Sequence, residues 1–376
     1  MATPPDIDDK AATDDQAGDQ TGDQFLGKRH AFMIATMVMI SLLTVLMAFG
    51  MISYSFLKYR YIGDGPLERE AVFEIHKGTG LSQIAAKLSR EGVIHSKNTF
   101  KIFAKIDGGE TSLKAGEYAI PAQASMRDVY EILQAGQAIL YPVTIAEGLT
   151  SAQIVRLIAG NDKIAGSTPI VPPEGVLLPE TYMLPKSMTK VQLIAKMQTA
   201  QTELLDALWA DRADNLPIKT KRDALILASI VEKETGQSSE RERVAGVFIN
   251  RLNKGMRLES DPTIIYGLTG GEKLGRGLRR SEIDRKTDWN TYQISGLPKT
   301  PICNPGRAAI AAVLNPAQTN EIFFVADGTG GHVFSTTLRD HINNVNKWRK
   351  VERQRKKAAK KAKKNADKKQ IKEELR

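Results

Sequence analysis

The sequence predicts an α+β protein with a single N-terminal transmembrane helix, then small α+β units, and finally a larger mixed α/β domain. Three observations support this prediction: a charge-free apolar run near the N-terminus, a repeated strand–turn–helix pattern after it, and an apolar helix that ends in acidic residues. With 376 residues the chain is long enough for two domains with separate cores. Its 41% hydrophobic and 26% charged residues exclude a wholly disordered chain and a polytopic membrane protein.

Charge is concentrated at the two ends of the chain. The formal net charge is +10, but residues 347–376 alone contain fifteen Lys and Arg against four Asp and Glu. Residues 1–24 contain seven Asp and one Lys. We therefore predict a disordered acidic head over residues 1–28 and a basic tail, helical or disordered, over residues 349–376. The tail lacks interleaved aromatic residues, so specific nucleic-acid binding is not predicted.

The apolar run spans residues 31–57, which contain no charged side chain. As a helix it would be about 40 Å long, more than the roughly 30 Å of bilayer hydrocarbon. A cleaved signal peptide usually has a shorter apolar region, and a buried core helix is rarely apolar on every face. We predict a transmembrane anchor over residues 29–57. Two Lys or Arg residues flank each end, so the positive-inside rule does not orient it.

An internal repeat with an offset of 70 residues follows the anchor. Four positions of the first copy match four of the second: Ile75, Gly78, Ile84 and Leu88 match Ile145, Gly148, Ile154 and Ile158. Each copy predicts a strand, a glycine turn and a helix, started by Ser82 in the first copy and by Thr150 or Ser151 in the second. Helices over 96–106 and 125–134 and a strand over 113–120 are predicted between them.

The first copy resembles the LysM module, a small βααβ domain that binds glycans containing N-acetylglucosamine. The resemblance rests on VFEI at 72–75, Gly78, IAAKL at 84–88 and GVI at 92–94. It implies a LysM-like unit, with the second related α+β unit, over residues 68–158. The alternative is a structural adaptor that holds the next domain away from the membrane. A Gly- and Pro-rich connector over 159–185 then leads into a second domain over 174–348.

The apolar helix of the second domain covers residues 221–235 and ends in Glu232 and Glu234. On helical spacing Glu234 lies over Leu227, Ile230 and Val231, the apolar side. Burial raises the pKa of a carboxyl group, and so does the C-terminal end of a helix, which makes Glu234 a candidate general acid. The alternative is a salt bridge that would lower this pKa, with one of three nearby arginines as partner: Arg241, Arg243 or Arg251.

The segment after Gly236 predicts a second helix, with Ser239 and Glu242 as a capping box. The single cysteine, Cys303, excludes an intrachain disulfide, and no basic neighbour activates it as a nucleophile. The Gly-rich stretch at 328–331 is a short turn beside His332 and not a phosphate-binding loop. The sequence therefore predicts no metal and no cofactor.

These motifs strongly resemble the MltG-type (YceG-like) endolytic murein transglycosylases. The resemblance is carried by LASIVEKET at 227–235, VAGVFINRL at 244–252, MRLESDPTIIYG at 256–267, NTY at 290–292, NPG at 304–306 and FVADGTGGHVF at 324–334. It extends to EGVLLPETY at 174–182, the LysM-like unit and the anchor, and implies that the domain over 174–348 is catalytic.

The resemblance places the family's catalytic carboxylate on Glu234. Family members cleave the β-1,4 bond between N-acetylmuramic acid and N-acetylglucosamine within glycan strands and leave a 1,6-anhydro end, which implies a lyase that terminates nascent strands. A two-carboxylate hydrolase stays open as an alternative, with Asp261 or Glu259 as second acid, as does a non-catalytic glycan-binding scaffold. Seven polar residues of these motifs are candidates for holding the sugars and supporting Glu234: Asn250, Arg251, Asp261, Thr263, Asn290, Thr291 and Tyr292. Each of them could equally be a structural cap.

The implied substrate also orients the anchor. Peptidoglycan glycan strands lie outside the cytoplasm, so the resemblance implies a single-pass protein of the inner membrane with a cytoplasmic acidic head and a periplasmic catalytic domain. Peptidoglycan synthases are expected among the partners, besides the glycan strands and the membrane.

Overall fold

The structure is a computed structural model that describes the backbone of residues 20–108 and 113–374, and side chains from residue 31 to residue 358 within those ranges. The first nineteen residues of the predicted acidic head lie outside the described residues. The chain forms two compact units, which divide between Ala138 and Ile139. This division falls between the two copies of the repeat, which the sequence analysis grouped within residues 68–158.

The first unit begins with a long apolar helix, α1, over Gln20–Ile62. Within it, the 32 residues of Ala31–Ile62 form a segment that is long and apolar enough to cross a membrane. Its apolar side chains do not pack into a core: Phe32 is 74% exposed and Phe49 is 70% exposed. This exposure excludes the buried-helix interpretation of the apolar run, because the side chains of a core helix would be covered by protein.

The rest of the first unit has the element order strand, helix, helix, strand, helix. The elements are β1 (Ala71–Ile75), α2 (Leu81–Arg90), α3 (Lys97–Asp107), β2 (Gly116–Ile120) and α4 (Met126–Ala135). β1 and β2 pair antiparallel, with Phe73 opposite Tyr118. The predicted helices over 96–106 and 125–134 are α3 and α4, and Ser96 and Ser125 cap them. α2 begins after Gly80 without a side-chain cap, so Ser82 is not its capping residue.

An aromatic core holds this unit together. Phe73, Phe100 and Tyr118 are at most 1% exposed, and burying each contributes roughly 1.5–3 kcal/mol. Near the end of α1, Tyr61 stacks on Phe103 with ring centroids 4.5 Å apart. The Tyr61 hydroxyl also donates to Asp107 Oδ2 at 2.9 Å. The apolar helix is therefore fixed to the first unit by its C-terminal turns.

The second unit begins with the second copy of the repeat: β3 (Leu140–Thr144), α5 (Ser151–Ala159) and β4 (Thr181–Pro185). β3 pairs antiparallel with β4, so the predicted connector contains a strand. The repeat itself is structural, because Ile75 and Ile145 are both buried and Gly78 and Gly148 have φ values of 85° and 75°. Thr150 caps α5 with a full capping box, as predicted.

The body of the second unit is mainly helical. Its elements are α6 (Lys190–Ala210), α7 (Lys221–Glu234), α8 (Arg241–Asn253), α9 (Asp261–Thr269), α10 (Arg280–Asp284), α11 (Arg307–Leu314), β5 (Phe323–Ala326), β6 (His332–Ser335) and α12 (Leu338–Glu374). Residues 224–231 of α7 are all buried, and α7 packs against α8 and α11. β5 and β6 form an antiparallel hairpin. The described strands thus make only two-stranded antiparallel sheets, and the basic tail continues α12 as a helix.

The start of α8 differs from the prediction. A 3-10 turn, Ser238–Glu240, precedes α8, and no side chain caps the helix at Glu240. The predicted capping box of Ser239 and Glu242 is therefore wrong. The Glu240 carboxylate is instead engaged by His332, whose main-chain N–H and ring Nδ1 lie 2.9 and 2.8 Å from its two oxygens.

Candidate active site

Glu234 is the last residue of the buried helix α7, and its carboxyl is the centre of the site. Thr220 and Asp223 start α7 with a capping box, and Thr235 leaves the helix in an extended conformation with φ −134°. The Ser260 hydroxyl donates to Glu234 Oε1 at 2.5 Å. The side chain keeps part of its surface exposed. The carboxyl is therefore held by a neutral donor.

Burial raises the pKa of Glu234 from its ordinary value of 4.5 to about 7. The dense protein surroundings disfavour the charged form, and this effect exceeds the opposing hydrogen bond from Ser260. The negative charge of Asp261 also raises the pKa, whereas His332 and Arg251 lower it. Glu234 is thus a carboxyl group with a raised pKa, which agrees with the first of the two alternatives that the sequence left open.

The three arginines that could have formed a salt bridge with Glu234 each pair with another carboxylate. Arg241 Nη2 lies 3.8 Å from Glu232, Arg251 Nη1 lies 3.2 Å from Glu259, and Arg243 pairs with Glu321. The salt-bridge alternative is therefore wrong. Burial, and not an ion pair, dominates the pKa of Glu234.

Glu232 is also buried, with a side chain only 6% exposed. Its Oε2 accepts the Gly306 N–H at 2.9 Å. Burial raises its pKa, while this hydrogen bond and the charge of Arg241 oppose the rise. Glu232 therefore links the end of α7 to the loop before α11.

Ser260 is held in place by two buried threonines. Thr291 Oγ1 accepts the Ser260 N–H at 2.9 Å, and Thr263 Oγ1 donates to the Ser260 carbonyl at 2.6 Å. The two threonine hydroxyls are themselves 2.9 Å apart. All three residues are at most 1% exposed. The position of the Ser260 hydroxyl is therefore determined by a buried network, which in turn orients the Glu234 carboxyl.

The residue before Ser260 has an unusual backbone conformation. Glu259 has φ +53°, in the left-handed region that favours glycine. The chain is held there by Arg251, whose Nη1 donates to the Leu258 carbonyl at 2.9 Å and to Glu259 Oε2 at 3.2 Å. Strained backbone of this kind persists only where its surroundings determine it, and it clusters at functional sites.

Asp261 and Tyr292 form a second polar pair beside the carboxyl. The Tyr292 hydroxyl donates to Asp261 Oδ1 at 2.7 Å. Burial raises the pKa of Tyr292, and the charges of Asp261 and Glu234 raise it further. The pair therefore lies close enough to Glu234 for the charges to interact. Asp261 is exposed to solvent.

Two of the predicted site residues, Asn250 and Asn290, use their side-chain amides to hold neighbouring loops and not to line the site. Asn250 and Arg251 lie on α8 and not in a turn, and Asn250 Nδ2 donates to the carbonyls of Thr319 and Glu321 at 2.7 and 2.9 Å. Asn290 is 1% exposed. Its Nδ2 donates to the carbonyls of Glu282, Ile283 and Arg285. The amide groups of Asn250 and Asn290 are thus committed to backbone carbonyls.

Sequence reasoning missed Ser260, Glu240 and His332. Ser260 was quoted within a motif but not chosen, because only the fold brings it to Glu234. The Gly-rich turn at 328–331 delivers His332 to Glu240, and a Cβ on Gly331 would lie 2.8 Å from Glu240 Oε1. The glycines of this turn could have indicated from the sequence that another segment lies close to its backbone.

Cys303 is fully buried, which raises its thiol pKa well above the ordinary value.

Ser260 and Asp261 are expected to shift the pKa of Glu234 in opposite directions. Ser260→Ala removes a donor to the charged form, so the pKa of Glu234 should rise by about half a unit to one unit. Asp261→Asn removes a neighbouring negative charge, so this pKa should fall by a similar, about half-unit step. NMR titration of the Glu234 side-chain carboxyl in each variant checks both. Shifts of the same sign in the two variants would contradict this account.

The sequence profile of the YceG-like family matches residues 73–347. The chain belongs to the YceG-like family. Two relatives named endolytic murein transglycosylase align with it: one from Bacillus subtilis is 27% identical over 73% of this chain and 85% of its own length. The other, from Streptococcus pneumoniae, is 29% identical over 84% of this chain. This YceG-like chain spans 64% of the pneumococcal protein.

A solved structure of a yceG-like protein from Listeria monocytogenes also matches, with 25% identity and a TM-score of 0.45 over 73% of this chain and 98% of that one. Within the described residues of this YceG-like protein, no group of three or more His, Cys, Asp or Glu side chains is arranged to hold a metal ion. The chemistry that the described site offers is proton transfer by Glu234 with hydrogen-bonding support from Ser260.

Proposed function

We propose that this protein is an endolytic lytic transglycosylase of peptidoglycan, a lyase that cleaves the bond between N-acetylmuramic acid and N-acetylglucosamine within glycan strands. The observation that carries the proposal is the Glu234 carboxyl, which is raised to a pKa of about 7 and bound by a neutral hydroxyl. A general acid works best when its pKa is near the operating pH. The names of the two aligned relatives support the same substrate.

One carboxyl group serves both halves of the reaction. The protonated Glu234 gives its proton to the glycosidic oxygen as the bond from that oxygen to the muramic C1 breaks. The muramic 6-hydroxyl then attacks C1, and the Glu234 carboxylate takes the hydroxyl proton. The new bond closes a 1,6-anhydro ring, no water is consumed, and Glu234 ends protonated. Asp261 contributes negative charge beside the positive charge that develops at C1.

A hydrolytic muramidase is the second candidate, because Asp261 is a second accessible carboxylate near Glu234. A hydrolase of the two-carboxylate type uses such a group as nucleophile or to activate water. In this protein the Asp261 carboxylate accepts the Tyr292 hydroxyl at 2.7 Å, which occupies one of its oxygens. That contact favours Asp261 as a fixed charge over Asp261 as a nucleophile.

Mass spectrometry of the products distinguishes the candidates. We expect the full chain, supplied with uncrosslinked glycan strands, to release fragments that end in 1,6-anhydro-muramic acid. A hydrolase would release the same fragments heavier by one water, with reducing ends. A glycan-binding scaffold would retain strands and release nothing. Either of the last two results would overturn the proposed reaction.

The location follows from the proposed substrate. We propose a single-pass inner-membrane protein with a cytoplasmic N-terminus and the Glu234 domain in the periplasm, where it cuts nascent strands beside peptidoglycan synthases. The exposed apolar helix Ala31–Ile62 supports an anchor. The βααβ order of the first unit is compatible with a LysM-like glycan-binding role. A reporter fused after residue 62 tests the orientation, because periplasmic alkaline phosphatase is active and a cytoplasmic one is not.

A further inference from the structure

A cavity of about 470 Å³ lies in the second unit beside the α7 segment that carries Glu234. Its walls are the glycine turn of the second repeat copy, the end of α7, the α9 helix and the loop that follows α9. Its lining includes Gly148, Thr150, Lys233, Tyr266, Lys273 and Arg276. A cavity of this size takes a small ligand or one substituent of a larger one.

The polar lining of the cavity is mainly cationic. Lys233, Lys273 and Arg276 line it, against a single acidic residue, Glu272. Glu272 is paired with Arg156, with Arg156 Nη2 3.1 Å from its Oε1. Arg276 is likewise committed, to Glu282. The two lysines are left as the cationic groups of the cavity that a ligand can engage.

The two lysines differ in how they are held. Lys233 Nζ donates to the Gly148 carbonyl at 3.2 Å, which fixes it at the rim and leaves two of its three donors. Lys273 is exposed, and among the described residues no carboxylate is recorded within ion-pair distance of it. The lining also contains apolar side chains, among them Ile265 and Ile302. The cavity therefore fits a group with an apolar or amide body and a carboxylate end.

Two residues that line the cavity are adjacent in the sequence to Glu234 and Asp261. Lys233 directly precedes Glu234, and Pro262, which also lines the cavity, directly follows Asp261. A muramic residue bound at Glu234 carries a lactyl group joined to a short peptide stem, and that stem has free carboxylates. The stem is the part of the proposed substrate that has both the length and the charge to enter a neighbouring cationic cavity.

We propose that this cavity is a subsite for the carboxylate-bearing peptide stem of the glycan strand, with Lys233 and Lys273 as the binding residues. The inference rests on the proposed function and adds substrate selection to it: the enzyme distinguishes strands by the charge on their stems. Strands whose stem carboxylates are masked as amides are poorer substrates, and the difference lies in KM because the subsite does not touch the reacting atoms.

The test uses uncrosslinked strands with natural stems and the same strands after chemical conversion of the stem carboxylates to carboxamides. For the parent chain we expect the KM to be about fivefold higher on the amidated strands, with kcat unchanged. Lys273→Ala should raise the KM on natural strands about threefold, and amidation should then raise it by a smaller factor than in the parent, because one of the two lysines that bind the carboxylate is already gone. Lys254→Ala, an exposed lysine outside the cavity, is the matched control.

The proposed subsite is wrong if Lys273→Ala has the parental KM on natural strands. It is also wrong if the substitution raises the KM by the same factor on natural and on amidated strands. Affinity of the Glu234→Gln chain for fluorescent natural and amidated strands, measured by anisotropy, tests the subsite without turnover. If strands bind with the expected charge dependence but no anhydro product forms from the parent, the proposed function fails and the subsite stands. If the anhydro product forms but neither the KM nor the affinity differs between natural and amidated strands, the subsite is wrong and the proposed function stands.

Discussion

Replacing Glu234 with glutamine should reduce strand cleavage by at least about a thousandfold, because the side chain keeps its shape but can neither give nor take the proton. The amide oxygen of the new glutamine can still accept the Ser260 hydroxyl, so the loop that carries Ser260 should remain in place. The measurement is the rate of release of 1,6-anhydro ends from uncrosslinked strands. Release at the parental rate would remove Glu234 from the reaction.

Glu232→Gln is the matched control for this variant. The two glutamates lie two residues apart on α7, but Glu232 accepts the Gly306 N–H through an oxygen that glutamine also provides. We expect Glu232→Gln to keep cleavage within about tenfold of the parent, since proton transfer is not affected. If strand cleavage were lost completely in Glu232→Gln and kept in Glu234→Gln, Glu232 and not Glu234 would be the general acid.

Glu234→Gln should also make the protein more stable at neutral pH. Because the folded-state pKa of Glu234 is raised from 4.5 to about 7, the folded protein binds more protons than the unfolded chain between these two values. The parent therefore loses stability as pH rises through this window, and the glutamine variant does not. Its advantage should be absent below about pH 4.5 and reach on the order of 1–3 kcal/mol above pH 7. Thermal unfolding at pH 4.5 and 7.5 checks it.

Replacing Asn290 with alanine should destabilise the second unit by about 2–4 kcal/mol. Asn290 is buried, and its Nδ2 donates to three carbonyls at 3.3, 2.9 and 2.6 Å, while its Oδ1 accepts the Tyr292 N–H at 3.0 Å. Alanine leaves these buried groups without partners, and each such loss is costly. Because Thr291 and Tyr292 follow directly, the support of Ser260 and Asp261 should weaken as well.

The measurements are the midpoint of thermal unfolding and the KM for strands. Asn343→Ala, an exposed asparagine of α12, should change stability by no more than about 0.5 kcal/mol. Asn290 was also a candidate for holding the sugars directly. In that case Asn290→Ala would raise the KM and leave the unfolding midpoint unchanged, which contradicts the bracing role assigned here.

The spacing of residues within one segment was sufficient to predict several features of the fold. The position of Glu234 on the apolar side of α7 followed from helical spacing, because one helix brings its own residues into register. The direction of its pKa shift did not, because burial by other segments and the absence of an arginine partner among the described residues decide it. The repeat also survived: Ile84 and Ile154, 70 residues apart, are both at most 2% exposed. The capping box predicted at Ser239 is absent, because Ser239 lies within a 3-10 turn and α8 begins only after Glu240. Glu240 contacts His332, a partner 92 residues away that the local sequence does not indicate.

Sequence alone determined the apolar helix, the family motifs, the candidate acid and the separation of charge between head and tail, because each depends on neighbouring residues or on composition. Only the tertiary structure decided which polar residues surround Glu234. It placed Ser260 on the carboxyl, paired the three arginines elsewhere, and committed Asn250 and Asn290 to backbone carbonyls. The reason is physical: a hydrogen bond is specified by the positions of two groups, and those positions are set by the packing of segments that are distant in the chain.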